Sequence, residues 1–448
     1  MQYGAVFCGS GHVRRSSSGN AVRPAVSSAM TARFLPLVIA IFLAVSPLGG
    51  PAQAQPVSSY AQAMGAAQTA MLAGALDSAV AAGKQAYQTA PNDIERIRAA
   101  RLVAAAHFRA QQYFRAEFWL RRAWQLAEGS PLAQAVASDF SGLRAANPLT
   151  VRLNFSAAPN SNINNGSQAE TVTIWGLPFI LNADARALAG YELSLGAEAT
   201  YRLAPSANGQ TWLGVRVNSR NYALTPTAAA AAPDVSGSDY AYASFEAFAR
   251  HRWQSAALPG PTTFNASLGK TWYGGDPYTH FGRFSFDQEI PISQSTGGAI
   301  SLGWERQFSD TTGSASSIAL LNAQTATRLG NGDRLRFGIG LEKTVSNDIF
   351  AENDAVRLSV GYSLARPIWN ANLSFDLGLE HREWGISVYD PSGRRDVALN
   401  LGLNAALPQA SVYGFTPVVK VEARKSQSNI SLFDRASYGL RLGLETQF

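Results

Sequence analysis

From residue 148 onward, apolar and polar side chains alternate at every second position. Leu335, Phe337, Ile339 and Leu341 stand against Arg334, Arg336, Gly338 and Glu342. Val356, Leu358, Val360 and Tyr362 oppose Arg357, Ser359, Gly361 and Ser363, and Leu373, Phe375, Leu377 and Leu379 oppose Ser374, Asp376, Gly378 and Glu380. Val397, Leu399, Leu401 and Leu403 repeat the pattern against Asn400, Gly402 and Asn404. Successive side chains of a strand point to opposite faces, so each stretch predicts a strand with one apolar face. Leu149, Val151, Leu153 and Phe155 open the region in the same way, and Tyr438, Leu440, Leu442, Leu444 and Phe448 close it. Other candidates begin near 187, 211, 239, 262, 280, 298, 316 and 412, which makes about fourteen strands.

A soluble sandwich also alternates. Three features favour lipid outside and water inside. The polar faces mix Arg, Asp and Glu with Gly and Ser. A Lys or Arg at the bilayer midplane costs ~2–4 kcal/mol, so Arg336, Arg357 and Arg441 are predicted to point inward. Tyr438 and Phe448 share a phase, and their separation along a tilted strand spans roughly 25 Å, the height of an apolar band between aromatic girdles. Connections 204–210, 329–333, 366–370 and 407–411 are short, whereas 223–237, 345–354, 385–394 and 425–436 are longer. The predicted fold is an antiparallel transmembrane β-barrel of about 14 strands over 148–448. Tyr438 to Phe448 would form its closing strand, on which barrel assembly machinery acts.

Residues 55–147 change period. They are rich in Ala and Gln and predict helices. Ala67, Ala70, Ala79, Ala86 and Pro91 fall at the small-residue and proline positions of a helix-turn-helix repeat of about 34 residues. Ala104, His107, Ala116 and Ala123 repeat most of that spacing 37 residues later. The segment resembles a pair of tetratricopeptide repeats without the signature Trp and Gly; the alternative is an Ala-rich bundle with no recognition role. Arginines and aromatics crowd the second repeat. Arg115, Trp119 and Arg122 are its candidate client-docking residues, because a repeat groove is where an extended partner binds.

Before this, Arg33 precedes an uncharged apolar run at 34–48 and an Ala52-Gln53-Ala54 cleavage site. Residues 1–54 therefore read as a secretory signal peptide, with 1–29 an overlong start. The run is shorter than the ~20 residues of a spanning helix. Cleavage after Ala54 removes Cys8, the only cysteine, and leaves no disulfide or thiol chemistry. It also removes four arginines, so the net charge falls from +6 to 33 minus 31, or +2. Nothing then favours nucleic acid as a partner. Only 15% of residues are charged, against about 25% in globular chains.

Chemistry is sparse. His107, His251, His280 and His381 show neither H-x-x-H nor H-E-x-x-H spacing, and no nucleophile elbow or phosphate loop is present. No cofactor or metal is expected, and the chain reads as a non-enzyme. His381-Arg382-Glu383 could mimic part of a hydrolase site, and Asp276 with Asp287 or Asp348 with Asp354 could bind calcium, but loop acids are usually just solvated. Asn160, Asn162, Asn164 and Asn165 follow the first strand. Asn tolerates turn conformations and bonds its own backbone. The cluster reads as a compact loop over the lumen or as a gate, with Asn429 and Ser431 as neighbours across the closure.

Three stretches carry a resemblance: SAAPNSNINN at 156–165, GLPFILNADARALAGYELSLG at 176–196 and ARKSQSNISLFDRASYGLRLGLETQF at 423–448. With the helices before them, they resemble the surface lipoprotein assembly modulators, which join periplasmic tetratricopeptide repeats to a C-terminal fourteen-stranded barrel. The resemblance implies an outer-membrane location with the helices in the periplasm. It also implies a role in helping client lipoproteins, or secreted soluble proteins, reach the cell surface. The rival readings are a porin for polysaccharide export and, less favoured, an outer-membrane enzyme. Export porins carry many more repeats and a lumen of one charge, whereas 148–448 has 24 basic and 25 acidic residues.

Overall fold

The computed structural model describes residues 57–127, 129–174, 176–412 and 415–446. The expected signal peptide and Phe448 lie outside them. The chain first forms five helices: α1 (Val57–Leu72), α2 (Leu76–Thr89), α3 (Asp93–Arg109), α4 (Tyr113–Ala127) and α5 (Ala133–Ala146). Small residues sit where the helices cross. Ala67, Ala79, Ala86 and Ala123 are fully buried. A Cβ added to Gly83 would lie 2.6 Å from Val103 Cγ2, so the α2–α3 approach needs a glycine. Asn92 caps α3 by accepting a bond from the Glu95 amide at 2.9 Å, a contact worth about 1 kcal/mol. The core joins Ile97, Val103, Leu120, Val136 and Phe140.

Two residues after α5 the period changes to two. The barrel strands are β1 (Leu149–Asn160), β4 (Gly190–Arg202), β5 (Gly209–Leu224), β6 (Tyr242–Trp253), β7 (Thr262–Tyr273) and β8 (Asp276–Pro291), then β9 (Thr296–Ser309), β10 (Ala315–Arg328), β11 (Arg334–Ser346) and β12 (Asn353–Ser363), and finally β13 (Asn372–Trp384), β14 (Arg394–Ala406), β15 (Phe415–Ser428) and β16 (Arg435–Thr446). Each pairs with the next in sequence, and β1 closes on β16, giving one antiparallel barrel of fourteen strands. A separate hairpin, β2 (Thr171–Ile174) with β3 (Leu177–Ile180), lies between β1 and β4.

The apolar phase faces out. Leu195, Leu268, Leu302, Phe337, Leu358, Leu401 and Leu442 are all 42% exposed or more. The polar phase faces in, and ion pairs that skip a strand show its concavity. Arg283 on β8 reaches Glu246 on β6 at 3.3 Å, and Arg336 on β11 reaches Asp376 on β13 at 3.0 Å. Strands two apart lie about 9–10 Å from each other, so such bridges form where the wall curves inward and the middle strand is small. Gly361 is that gap for the second pair: a Cβ there would stand 2.9 Å from Arg336 Nε. One chain of alternating charge runs Arg152–Glu198–Arg216–Glu246–Arg283–Glu305. A second cluster joins Glu342, Arg357, Glu380 and Arg382. Arg336, Arg357 and Arg441 thus point inward, where the cost of a lipid-facing charge is avoided.

The loop reading needs correction. On the helical side the connections include 203–208, 254–261, 292–295, 329–333 and 364–371; opposite are 161–189, 225–241, 274–275, 310–314, 347–352, 385–393 and 429–434. The contrast in length rests almost wholly on 161–189 and 225–241. The stretch 345–354 contracts because β11 and β12 pair as far as Thr344 opposite Asn353. The loop 225–241 contains a short helix, α6 (Pro226–Ala231), capped by Thr225.

Candidate functional site at the strand seam

Among the described residues, the join between β1 and β16 has the fewest paired positions of the barrel. β1 pairs with β4 at every position from Leu149 to Asn160. Against β16, among the described residues, it pairs at Asn154 to Ala157 and again at Asn160. The lapse falls at Ala158 and Pro159, opposite Arg441 and Leu440 in the same register. Proline has no N–H for the ladder. Side chains join in at the two ends of this pairing, and at one of them the Ser161 amide also donates to the Tyr438 carbonyl at 3.3 Å. Thr446 Oγ1 accepts from the Leu153 amide at 3.2 Å, and Ser161 Oγ accepts from the Tyr438 amide at 3.0 Å.

From inside, Arg441 spans the lapse. Its Nη1 donates to Glu192 on β4 at 2.8 Å and to Ser156 on β1 at 3.1 Å. Nη2 donates to Glu422 on β15 at 3.4 Å. Four strands therefore meet at one guanidinium. On the outer side the same level carries a recess of about 440 Å³, lined in part by Ala157, Pro159, Tyr191, Leu193, Leu440 and Leu442. Tyr438 is 70% exposed at the outer end of this apolar column.

Above the seam, loop 161–189 is a cap tied by hydrogen bonds from its asparagines. Asn160 Oδ1 accepts from the Asn162 amide at 2.9 Å. Asn162 is buried and donates from Nδ2 to Gly166 and Ala436 carbonyls. Asn164 donates to the carbonyls of Asp184 and Arg186 and accepts from the Leu188 amide. Asn165 sits at φ 53°, the left-handed turn conformation. Two small cores anchor the loop. Ile163 and Leu188 pack on Ala228 and Ala232, and Val172 packs on Ile430 and Phe433. Ser431 is a neighbour, as expected: Ser167 Oγ donates to its carbonyl at 3.0 Å. Asn429 accepts from the Arg395 amide at 2.7 Å and donates to the Gly393 carbonyl at 3.0 Å.

An arginine–aromatic stack supports the cap. Arg394 Cζ lies 4.0 Å from the Trp384 ring centre and 3.4 Å from that of Phe433, while its Nε bonds Asp396 at 2.9 Å. In loop 385–393, the Ser392 hydroxyl and amide hold the Asp390 carboxyl below its usual range. Burial pushes the Tyr240 phenol up, helped by the charges of Asp184 and Asp239.

In the helical region the three docking candidates separate. Trp119 is 7% exposed and belongs to the core, edge-on to Tyr87 at 5.3 Å, which corrects its reading as a contact residue. Arg122 covers that core, 4.8 Å from the Phe118 ring centre and 5.1 Å from that of Trp119. Arg115 lies elsewhere, in a cleft of about 490 Å³ between the start of α4 and the first residues of the barrel. The exposed aromatics of the helical region include Phe108, Phe114, Phe118 and Trp124, but not Trp119.

His381 and Glu383 bond each other at 2.9 Å on the phase opposite to Arg382, so the three do not converge. No group of three His, Cys, Asp or Glu able to hold a metal occurs among the described residues. The seam clamp was missed in the sequence. Its signal was a charged pair, Glu192 and Arg441, on the strands flanking the first one.

No protein-family model matches the chain, and no curated protein matches it. Among solved structures it is similar to OccAB4 of Acinetobacter baumannii, 6% identical, with 67% of this chain and 98% of that one covered and a TM-score of 0.35. It is also similar to a loop-deleted OmpT, an outer membrane protein of Vibrio cholerae, at 7% identity, 67% and 100% coverage and a TM-score of 0.34. OccK2 of Pseudomonas aeruginosa gives 8%, 66% and 97%, and 0.35. These likenesses concern the barrel fold alone. The closed barrel, apolar outside and ion-paired inside, defines the class: an outer-membrane β-barrel preceded by a helical region.

Proposed function

We propose that the protein is a non-enzymatic outer-membrane factor that helps client lipoproteins or secreted proteins reach the cell surface. The helices stand in the periplasm, receive the client and hand it to the barrel at β1. The observation that carries this reading is the lapse in the β1–β16 ladder at Ala158 and Pro159. The helical region is joined directly to β1, so a client held there arrives beside that ladder. The resemblance to the surface lipoprotein assembly modulators points the same way. The near-balanced ion pairs of the lumen suit packing better than the one-signed wall expected of a polysaccharide porin.

A deletion strain tests the role. Protease shaving of intact cells is expected to show one surface protein lost while polymer export stays normal. An unchanged set of surface proteins overturns it. Cysteines at the paired positions Ala157 and Leu442 test the seam. Oxidation is expected to stop display and reduction to restore it; display that continues through the cross-link removes the seam from the pathway.

A further inference from the structure

Consecutive helices joined by short connections run antiparallel, so the region has two ends. One end gathers the last turn of α1, the last turn of α3, the first turn of α4 and the last turn of α5. Two contacts fix this. Arg109 Nη1 donates to the Met71 carbonyl at 3.1 Å, and Gln111 to Arg115 share a cleft with Asn147, Pro148 and Leu149. This end therefore faces the barrel.

The same end exposes large apolar side chains. Leu72 is 88% exposed, Phe114 53% and Phe108 38%. They come from three different helix termini. The turns at the other end, 90–92 and 129–132, present no large exposed hydrophobic among the described residues. Trp124, toward that end, is 43% exposed and packs edge-on to Phe140 at 6.3 Å. Charge is divided in the same sense. Arg109, Arg115 and Arg144 lie toward the barrel end, with Asp77 and with Glu117, whose charge acts on Arg144. At the far end Arg96 and Arg98 are matched by Asp93 and Glu95.

The cleft also has a side. Arg202, on the inward phase of β4, holds the linker from the lumen by donating to the Asn147 carbonyl at 3.4 Å. Leu149 starts the outward column Leu149, Val151, Leu153 and Phe155, so the cleft opens onto the lipid-facing surface. Aromatic and aliphatic tips with arginines between them suit the boundary of a bilayer, where rings and aliphatic chains sit at headgroup depth and basic residues are drawn to an anionic surface.

We propose that the barrel-facing end of the helical region is seated on the adjacent phospholipid leaflet, with Leu72, Phe108 and Phe114 at headgroup depth and Arg109 and Arg115 against anionic headgroups. The helices are then a docked shelf beside the barrel rim, and a client held on them lies at the membrane surface. Spin labels test this on the full-length protein in vesicles of phosphatidylcholine and phosphatidylglycerol, with Cys8 changed to Ser. Labels at Leu72→Cys and Phe114→Cys are expected to collide more with oxygen than with an aqueous nickel complex. A label at Gln88→Cys, exposed at the far end, is expected to do the reverse. Arg115→Glu is expected to shift the label at position 114 toward the nickel complex in vesicles with phosphatidylglycerol and to matter less in phosphatidylcholine alone. Labels at 72 and 114 as open to nickel as the one at 88 overturn the proposal, and so does a position-114 signal indifferent to the anionic lipid.

Discussion

Arg441 on the last strand and Glu192 on β4 meet at 2.8 Å across β1, at the level where β1 loses its pairing with β16. The Glu192 side chain is 4% exposed and that of Arg441 24%. A backbone ladder that lapses at a proline is bridged here by a side-chain ion pair on the concave face. Removing Arg441 leaves the Glu192 carboxylate buried without its cation, which costs ~3–5 kcal/mol, whereas Arg441 keeps Glu422 when Glu192 is removed. Arg441→Ala and Glu192→Ala are each expected to lower the heat-unfolding temperature of the folded barrel on gels. The double variant is expected to lose far less than the sum. Additive losses mean that the pair does not act as a unit.

The bridge between Arg336 and Asp376 has similar length and a different weight. Its side chains are 48% and 57% exposed, and exposed pairs contribute ~0–1 kcal/mol. Gly361→Val puts a side chain into the gap that the bridge crosses. The variant is expected to fold with a heat stability within about 1 kcal/mol of the parent, far from the loss caused by Arg441→Ala. A comparable loss would show that distance, not burial, sets the strength of these contacts.

The period-two pattern made the barrel legible because outside and inside differ in solvent. Leu335 and Leu440 must meet lipid, and Arg336 and Arg441 must not. The loops obey no such rule. The β2–β3 hairpin escaped notice because Val172 is buried by Ile430 and Phe433, which are distant in sequence. Trp119 was misread for a related reason: helix spacing groups Arg115, Trp119 and Arg122, and only packing decides which of them the core takes. Pro159 was readable as a missing donor. Its meaning needed the register that sets it opposite Leu440.

His107 gives the helical region a pH dependence. Burial holds its imidazole below the ordinary 6.5, opposed by the bond to Gln112. The folded state thus prefers the neutral ring. Stability from this source is complete above the unfolded value and is lost as pH falls from there through the folded value. Helical ellipticity in thermal scans is expected to give a constant midpoint above about pH 6.5 and a falling one below it. His107→Gln is expected to flatten that acid limb. An unchanged limb assigns it to another group.

Arg394 ties the cap together. It lies between Trp384 on β13 and Phe433 in loop 429–434 and pairs with Asp396, whose side chain is 12% exposed. Phe433 in turn packs on Val172 of the β2–β3 hairpin. Three loops thus depend on one guanidinium. A desolvated cation over an aromatic face is worth about 2 kcal/mol, and the unpaired Asp396 left by truncation adds to the loss. Arg394→Ala is expected to speed amide exchange in 171–174, 385–393 and 429–434 together, with the β6–β9 strands unchanged. Arg394→Lys keeps the charge and loses the flat stack, so an intermediate rise is expected. Faster exchange confined to 385–393 would mean that the hairpin is held by loop 161–189 alone and that the cap moves in separate pieces.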